Sequence, residues 1–521
     1  MNQTVGILFS ILILQVSGAV DFPSTYHAKG TLELPYAELK EPFEIWYDEA
    51  NNRMRIDYYN GQTQSIVYGS NGSGDGYGHG FLIAYEVFEK VCLKVEGSEE
   101  LPAELTSFIP DLSKFTHKGS VNIDNKEMQY YYSMQKMGQR ENYYKFYYYT
   151  DGNGNNIPYR LDLLGYDFII GSHYDHYKFN FDSFDTNVSD ANFEVQKSYT
   201  CKNFPTPPGG MLRLNPFREF LWHGVPLGYT DDYLNFINHY GKDIKDLKDF
   251  TVRSITYRTN MRYINSHNRK GMSFKLEENH LTDEFPAIRQ RNGLLRTPRE
   301  LRPKVDVFEG GQLRSGENPD SLDWRLFGAV SPVKDQATCG SCWSFGSTGA
   351  IEGAYFLKHK VLKKFSEQNL MDCSWPQGNN ACDGGEQWRA FEYVINNTGL
   401  MSERGYGHYL GQDGKCHFNK SNVAVSVQSY VNVKSGDENA LKEALNMYGP
   451  LSVSIDASHP SLSFYANGVF LVGYGTLEGK DYWLVKNSWS TNWGNDGYVL
   501  MARNQNNMCG IATDASYVTV A

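Results

Sequence analysis

Apolar and polar residues alternate along much of the first two hundred positions, and this period of two is typical of β-strands. Residues 43–48 and 53–59 alternate in this way on either side of the turn-like segment 49–52, which predicts a β-hairpin. The tyrosine-rich run 143–149 is a further strand candidate, because aromatic residues favour extended structure. We therefore predict an antiparallel, β-rich N-terminal domain over residues 20–201.

The aromatic side chains of this region allow two interpretations. The tyrosines either line a cavity for an apolar ligand or form the core and surface of the strands, which is their more common role. On the first interpretation the domain is a ligand-binding module in its own right.

A helical period replaces the alternation after a linker over residues 202–230, whose segment 204–210 is rich in proline and glycine. Within the following stretch 231–268, six residues are spaced by three or four positions, which places them on one face of a helix. These residues are Asp249, Arg253, Tyr257, Asn260, Ile264 and Asn268. The spacing predicts an amphipathic helix.

An apolar run at residues 5–14 is followed by small residues, a pattern typical of a secretory signal peptide over residues 1–19. A membrane anchor is the alternative, but the run is too short to span a bilayer. No later segment is long and apolar enough to do so. We therefore expect a protein of the secretory pathway, located in lysosomes or outside the cell.

Composition is consistent with that location. The chain has 521 residues, eight cysteines and a net charge of −11. Disulfide bonds suit a secreted protein, and the negative charge argues against a nucleic-acid partner. We expect a monomer without metal or cofactor. Glycosylation sequons occur at Asn71, Asn187, Asn396 and Asn419.

The run from Gln336 to Cys342 carries the most informative chemistry. It contains the pattern C-G-[SA]-C-[WY] of a nucleophilic cysteine. Cys342 is predicted at the start of a helix, where the helix dipole favours a thiolate. Gln336 is suitably placed to donate a hydrogen bond to the oxyanion that forms when a thiolate attacks a peptide carbonyl.

Further blocks follow in the order found in papain-like cysteine proteases, which the chain resembles over residues 318–521. The blocks are 322–325, 365–370, 372–374, 382–385, 449–453, 472–475 and 482–489. The resemblance implies an α+β, two-lobed domain with a helical lobe and a β-barrel lobe, and endopeptidase activity on protein or peptide substrates. It implies that Asn487 orients a catalytic imidazole and that Trp489 shields their hydrogen bond. It also implies an oxyanion hole formed by Gln336 and the Cys342 backbone N–H.

The helical segment resembles the inhibitory propeptide of cathepsin-L-like zymogens. The six spaced residues fit the propeptide helix, and Asn279, Leu281 and Asp283 resemble the end of its second motif. By this resemblance, residues 231–317 form a propeptide that lies in the cleft in the non-productive direction and blocks Cys342. The order of regions resembles that of the insect 26/29-kilodalton proteinases.

The catalytic histidine of this family is missing from its expected place. Counting back from the V-G-Y-G block places Asn467 at that position. His459 is the last histidine of the chain, and we interpret it as a solvent-facing loop residue. We infer that a strand and a loop have been lost near residues 470–471, so that the chain is a splice or gene-model variant of an active protease, or a dead copy.

Cysteine counting agrees with this loss. The resemblance implies the disulfide bonds Cys339–Cys382 and Cys373–Cys416, and leaves Cys342 free as the nucleophile. It also implies that the partner of Cys509 belonged to the lost segment. The two remaining cysteines are expected to form Cys92–Cys201.

The same resemblance locates one wall of the substrate-binding cleft at Gly384 and Gly385. Glu386 and Gln387 follow, where related endopeptidases often carry apolar residues. Ser454 stands where a small apolar residue is usual. These residues predict a second substrate pocket that is polar and accepts a basic side chain, unless they face solvent.

Three functions remain open at this point. The family resemblance implies a cysteine endopeptidase made as a secreted zymogen, with its own propeptide as inhibitor. The missing histidine implies a pseudoprotease that acts by binding. The N-terminal domain allows a ligand-binding role.

Overall fold

The computed structural model describes residues 20–71, 76–86, 89–204, 214–221, 229–272, 274–284, 293–314, 317–456 and 468–521. The chain divides into two compact units, Met1–Lys275 and Leu276–Ala521, so the predicted propeptide contributes to both. The predicted signal peptide lies outside the described residues. Among the helices described, none has the length and apolar character needed to cross a membrane.

The first unit is built on a sheet of twelve strands. The strands are β1 (Thr25–Leu34), β2 (Leu39–Asp48), β3 (Arg53–Tyr58), β4 (Thr63–Tyr68), β5 (His79–Glu86), β6 (Glu89–Glu96), β7 (Thr116–Ile123), β8 (Lys126–Met137), β9 (Arg140–Thr150), β10 (Asn156–Asp167), β11 (Ser172–Asp185) and β12 (Lys202–Asn203). Their order is β12-β6-β5-β4-β3-β2-β1-β11-β10-β9-β8-β7. Neighbours are antiparallel except β12, which runs parallel to β6. The predicted hairpin is confirmed as β2 and β3.

The core of this unit lies on one face of the sheet, because alternate side chains of each strand point to the same face. On β1, every second residue is buried. The rings of Phe43 and Phe179 lie 5.7 Å apart at its centre. Tyr26, Tyr58 and Tyr177 are buried in the same core, so these three tyrosines serve as core residues.

Part of the predicted linker belongs to this core. Leu214, Phe217, Phe220 and Leu221 are all buried in it. The proline- and glycine-rich segment 204–210 covers only the start of the predicted linker. The large apolar side chains that follow stabilise the fold, because their burial removes apolar surface from water.

Two helices complete the first unit, α1 (Tyr229–Tyr240) and α2 (Leu247–Arg269). The predicted amphipathic helix is confirmed as α2, and the Asp246 carboxylate caps its N-terminus. Tyr257 and Ile264, two residues of the predicted face, are buried. The aromatic rings of α1 pack against the Tyr257 ring.

Buried ion pairs join α2 to the sheet. The Arg262 guanidinium lies 2.8 Å from Asp175 of β11 and 3.1 Å from Glu219. Two helical turns further along α2, Arg269 contacts both carboxylate oxygens of Glu41 at 2.5 and 2.7 Å. The propeptide helix and the β-rich domain therefore form one folded body.

Opposing effects set the titration of Asp175. Burial alone would raise its pKa, but the guanidinium groups of Arg262 and Arg258 outweigh burial and hold the pKa below its usual value. Its contribution to stability is therefore present above the unfolded-state pKa of about 3.9 and is lost as the pH falls through the lower folded-state pKa.

The second unit contains five α-helices among its described residues. They are α3 (Cys342–His359), α4 (Glu367–Cys373), α5 (Gln387–Asn396), α6 (Glu403–Tyr406) and α7 (Glu438–Tyr448). Its strands are β13 (Val307–Phe308), β14 (Leu322–Asp323), β15 (Leu400–Met401), β16 (Val423–Val425), β17 (Val427–Val433), β18 (Leu451–Val453), β19 (Gly468–Leu477), β20 (Lys480–Asn487), β21 (Tyr498–Ala502) and β22 (Ala515–Val520). One sheet has the order β13-β17-β22-β18-β19-β20-β21, with β14 on β19, and β15 pairs with β16 separately.

Two hydrophobic cores lie within this unit. One joins α3, α4 and α5 through residues such as Trp343, Leu370 and Phe391. The other lies between α7 and the sheet, around Leu441 and Trp483. This α+β arrangement confirms the predicted fold class, in which one lobe is helical and the other is rich in strands.

We expect Arg262→Ala to lower the free energy of unfolding by about 3–5 kcal/mol, since it removes one partner of a buried ion pair. Lys40→Ala is the matched control, because Lys40 is exposed in its pair with Glu33, and its loss should cost at most about 1 kcal/mol. Urea denaturation of the full chain, followed by circular dichroism, measures both changes. Equal losses would contradict the structural importance of the buried pair.

Candidate active site

Cys342 is the first residue of α3. The short segment before it begins at Cys339, which is disulfide-bonded to Cys382. The backbone N–H of Gly340 also donates to the Cys382 carbonyl, at 3.0 Å. The first amides of a helix lack intrahelical acceptors, so this position favours negative charge on the Cys342 sulfur. The loop and the helix together fix the place of the thiol.

Gln336 lies fully buried beside this loop. Its Nε2 donates to the Cys339 carbonyl at 2.8 Å, and its Oε1 accepts from the Ser488 hydroxyl at 2.6 Å. A backbone hydrogen bond of 2.8 Å also runs from the Gln336 N–H to the Ser488 carbonyl. The amide group is therefore held in one orientation.

Asn487 ends β20 directly before Ser488 and is buried. Its Oδ1 accepts from the Ser488 N–H at 2.6 Å, while its buried Nδ2 has no hydrogen-bond partner among the described residues. Gly468 is the strand partner of Asn487. Asn467 and His459 lie outside the described residues. Trp489 is fully buried after the same strand.

The Cys342 side chain is buried. Burial raises the pKa of this thiol, and hydrogen bonds from the backbone N–H groups of Gly293 and Trp343 only partly oppose the rise. Within the part of the chain that the structure describes, no histidine hydrogen-bonds to this sulfur.

The main chain of the prosegment lies directly over Cys342. The Gly385 N–H donates to the Gly293 carbonyl at 2.8 Å, and the Leu295 N–H donates to the Gly385 carbonyl at 3.0 Å. These bonds form a parallel bridge between Leu294 and Gly385. A prosegment that pairs in this way occupies the cleft wall that the sequence assigns to substrate.

The other residues assigned to this wall are also buried. Glu386 is 1% exposed and Gln387 is 6% exposed, so neither faces solvent. The Gln387 Nε2 lies 3.3 Å from the Ser454 hydroxyl, which brings these two predicted pocket residues together. Gly384 adopts a φ of +112°, a conformation that suits glycine at the turn before them.

Sequence reasoning missed two residues of this region. The guanidinium of Arg302, in the prosegment, contacts Glu386 at 3.1 Å and Asp514 at 2.9 Å. Asp514 precedes β22 and lies more than two hundred positions from Arg302. The one signal in the sequence was an isolated carboxylate in an otherwise uncharged C-terminal run.

The structure contains the disulfide bonds Cys92–Cys201, Cys339–Cys382 and Cys373–Cys416. Cys342 and Cys509 are its free cysteines. Burial raises the pKa of the Cys509 thiol as well. The sequon asparagines at positions 71, 187, 396 and 419 are exposed.

We expect the alkylation rate of Cys342 by iodoacetamide to rise with pH around a midpoint above about 8.5, the usual thiol value, because burial raises the pKa. Mass spectrometry of the Cys509→Ser chain, in which Cys342 is the remaining free thiol, measures this rate. A midpoint below about 7 would indicate an activating partner and contradict the prediction.

A methyl group added at Gly293 would lie 1.6 Å from the Gly340 carbonyl oxygen. We therefore expect Gly293→Ala to displace the prosegment and to speed alkylation of Cys342 by about tenfold, the equivalent of about 1.4 kcal/mol. Gly152→Ala is the control, since a methyl group there meets nothing within 4 Å. An unchanged rate in Gly293→Ala would show that this segment does not shield the thiol.

Known protein families match the predicted peptidase domain and the predicted propeptide separately. The family described as "Papain family cysteine protease" matches residues 318–519, and "Cathepsin propeptide inhibitor domain (I29)" matches residues 233–285. "Digestive cysteine proteinase 2" of Homarus americanus is 41% identical over 55% of this chain and 94% of its own length. "Cathepsin L" of Sarcophaga peregrina is 42% identical over 57% of this chain and 92% of its own length.

A solved structure shows the same likeness. Digestive procathepsin L2 proteinase from the Tenebrio molitor larval midgut is 36% identical, with a TM-score of 0.52, over 56% of this chain and 99% of its own. The chain therefore belongs to the papain family of cysteine proteases and carries a cathepsin-type inhibitory propeptide.

Proposed function

We propose that this chain is a papain-family zymogen whose cleft binds peptides but hydrolyses them very slowly, because Cys342 has no general base. The observation that carries the proposal is the buried Asn487 Nδ2, which has no hydrogen-bond partner among the described residues. In the family resemblance this amide orients the catalytic imidazole. The sequence supports the same conclusion, since no histidine follows His459.

The remaining groups suit nucleophilic attack on the peptide carbonyl and stabilisation of the oxyanion, but not proton transfer. The Cys342 thiolate is the nucleophile, and its backbone N–H together with the Gln336 amide stabilises the oxyanion. Trp489 shields the Asn487 amide from water. Nothing in this set takes the thiol proton or protonates the leaving amine, which are the two tasks of the imidazole.

The loss is large. Burial raises the pKa of the Cys342 thiol above its ordinary range, so only a very small fraction of the molecules carries the thiolate at an acidic lysosomal pH. In the analogous serine enzymes, removal of the base costs about a million-fold in turnover. Binding of peptides does not require the imidazole, so a binding role survives its absence.

Family membership favours a second candidate, a fully active endopeptidase encoded by a longer transcript. In this chain β19 runs through residues 470–471 as one continuous strand. Sequencing the transcript across the Phe470 and Leu471 codons tests this candidate. An additional exon that encodes a histidine and a cysteine would restore both the imidazole and a partner for Cys509.

We also infer a location in the secretory pathway, either in lysosomes or outside the cell. The disulfide bonds and the exposed sequon asparagines support it. The partners in this scheme are peptides and the chain's own prosegment, and no cofactor enters the chemistry.

We expect the chain, once its prosegment is cleaved by added pepsin, to hydrolyse a fluorogenic peptide at least about a thousand-fold more slowly than active family members. Asn467→His should raise the rate by about tenfold or more, because counting back from the V-G-Y-G block places Asn467 at the family's histidine position, where an imidazole acts as base. Initial rates near pH 6 measure both.

Asn467→Gln is the matched control, since it changes the side chain without supplying a base. Cys342→Ala, processed in the same way, supplies the blank. Turnover by the unmodified chain that equals that of active relatives, and that Cys342→Ala abolishes, would overturn the proposal.

A further inference from the structure

Residues 305–313, near the end of the prosegment, lie against one edge of the sheet in the peptidase domain. There β13 adds a parallel strand to β17, with Phe308 opposite Val433. The Lys434 N–H donates to the Phe308 carbonyl at 3.0 Å. Because β22 pairs with the other side of β17, the prosegment strand covers an edge of the sheet that its removal would expose.

An aromatic pocket receives one side chain of this strand. Phe308 is 3% exposed. Its ring centroid lies 5.6 Å from that of Tyr448 and 6.3 Å from that of Tyr517, and both contacts are edge-to-face. The two tyrosine rings, on α7 and β22, are stacked 4.0 Å apart. Burial of the phenylalanine ring is favourable, and its contacts with the tyrosine rings add to that stabilisation.

The turn after this strand binds a carboxylate of the peptidase domain. Glu443, on α7, is 5% exposed and accepts three backbone hydrogen bonds. The donors are the N–H groups of Gly311, Gln312 and Leu313, at 2.7, 2.6 and 2.7 Å. Gly310 and Gly311 have φ values of +75° and +76°, which suit glycine and let successive N–H groups converge on one anion. Hydrogen bonds to a charged acceptor are stronger than neutral ones, so this turn is firmly anchored.

The chain immediately before this segment is exposed instead. Arg296, Arg299 and Lys304 face solvent, and Leu301 is 72% exposed. Exposed backbone with few buried contacts is the preferred place for proteolysis, so a protease that cuts after basic residues reaches this stretch. A cut there separates the inhibitory part of the prosegment from residues 305–313.

We propose that β17, the pocket of Tyr448 and Tyr517, and Glu443 form a second peptide-binding site, here called the edge site, which retains residues 305–313 after the inhibitory part is removed. The edge site shares no residue with the cleft wall around Gly385. It accepts an extended peptide whose aromatic side chain is followed, after one residue, by two glycines. The inference goes beyond the proposed function and holds whether or not the chain has a general base.

Limited digestion of the full chain with trypsin, followed by gel filtration, tests the proposal. Trypsin cuts after the exposed Arg299 and Lys304, and gel filtration removes the fragments that dissociate. Hydrogen–deuterium exchange, measured by mass spectrometry, then follows the amides of residues 305–313. We expect the segment to stay with the peptidase domain and to exchange within about threefold of its rate in the uncut chain. A further cut at the exposed Arg314 leaves the edge site alone to hold it.

Glu443→Gln should speed exchange of this segment by about tenfold or more, because a neutral amide holds the backbone N–H groups less strongly than a carboxylate does. Glu309→Gln is the matched control, since the Glu309 carboxylate is 67% exposed in its pair with Lys434, and it should leave exchange unchanged. Phe308→Ala tests the aromatic pocket in the same way, with the exposed Val307→Ala as its control.

Exchange of β20 in the same samples shows whether each variant is folded, because that strand lies inside the sheet. If Glu443→Gln is unfolded by this measure, the comparison of Phe308→Ala with Val307→Ala takes its place. Loss of residues 305–313 on gel filtration would overturn the proposal, as would exchange at the rate of an unstructured peptide. Equal exchange in a folded variant and its control would also contradict it. Peptide turnover plays no part in this measurement, so its outcome is independent of the proposed function.

Discussion

The main-chain pairing of Gly293 and Leu295 with Gly385 is the interaction on which the state of this zymogen depends. It closes the space above Cys342, and burial of the sulfur follows from it. It also carries the chain onward to Arg302, which can reach its two carboxylates because Gly385 fixes the start of that path. A few backbone hydrogen bonds thus control both access to the thiol and the position of Arg302.

On the proposed function, the catalytic lobe retains the architecture of a nucleophilic site around a missing imidazole. The Cys339–Cys382 disulfide bond, the helix terminus and the Ser488 hydroxyl still position Cys342 and Gln336. These contacts are made by groups on either side of the absent imidazole, so they do not need it to form. The Asn487 Nδ2 has no hydrogen-bond partner among the described residues, and in the resemblance this amide orients the imidazole.

Sequence patterns were informative wherever neighbours in the structure are neighbours in the chain. Alternation predicted the β2–β3 hairpin, and spacing predicted α2, because both patterns are local. Phe217 was assigned to a linker because its contacts lie on strands far away in sequence. Asp514 was missed for the same reason, since its importance comes from Arg302, which the fold brings to it.

The buried contacts of Arg262 and Arg269 have a consequence for what remains together once the chain is cleaved. Both of these arginines have their counter-charges on the sheet or in the segment that follows it. A helix separated from that sheet would expose unpaired cations, and a sheet separated from the helix would bury unpaired carboxylates. The β-rich domain and α2 are therefore expected to stay together as one folded body after the chain is cut between the propeptide and the peptidase domain.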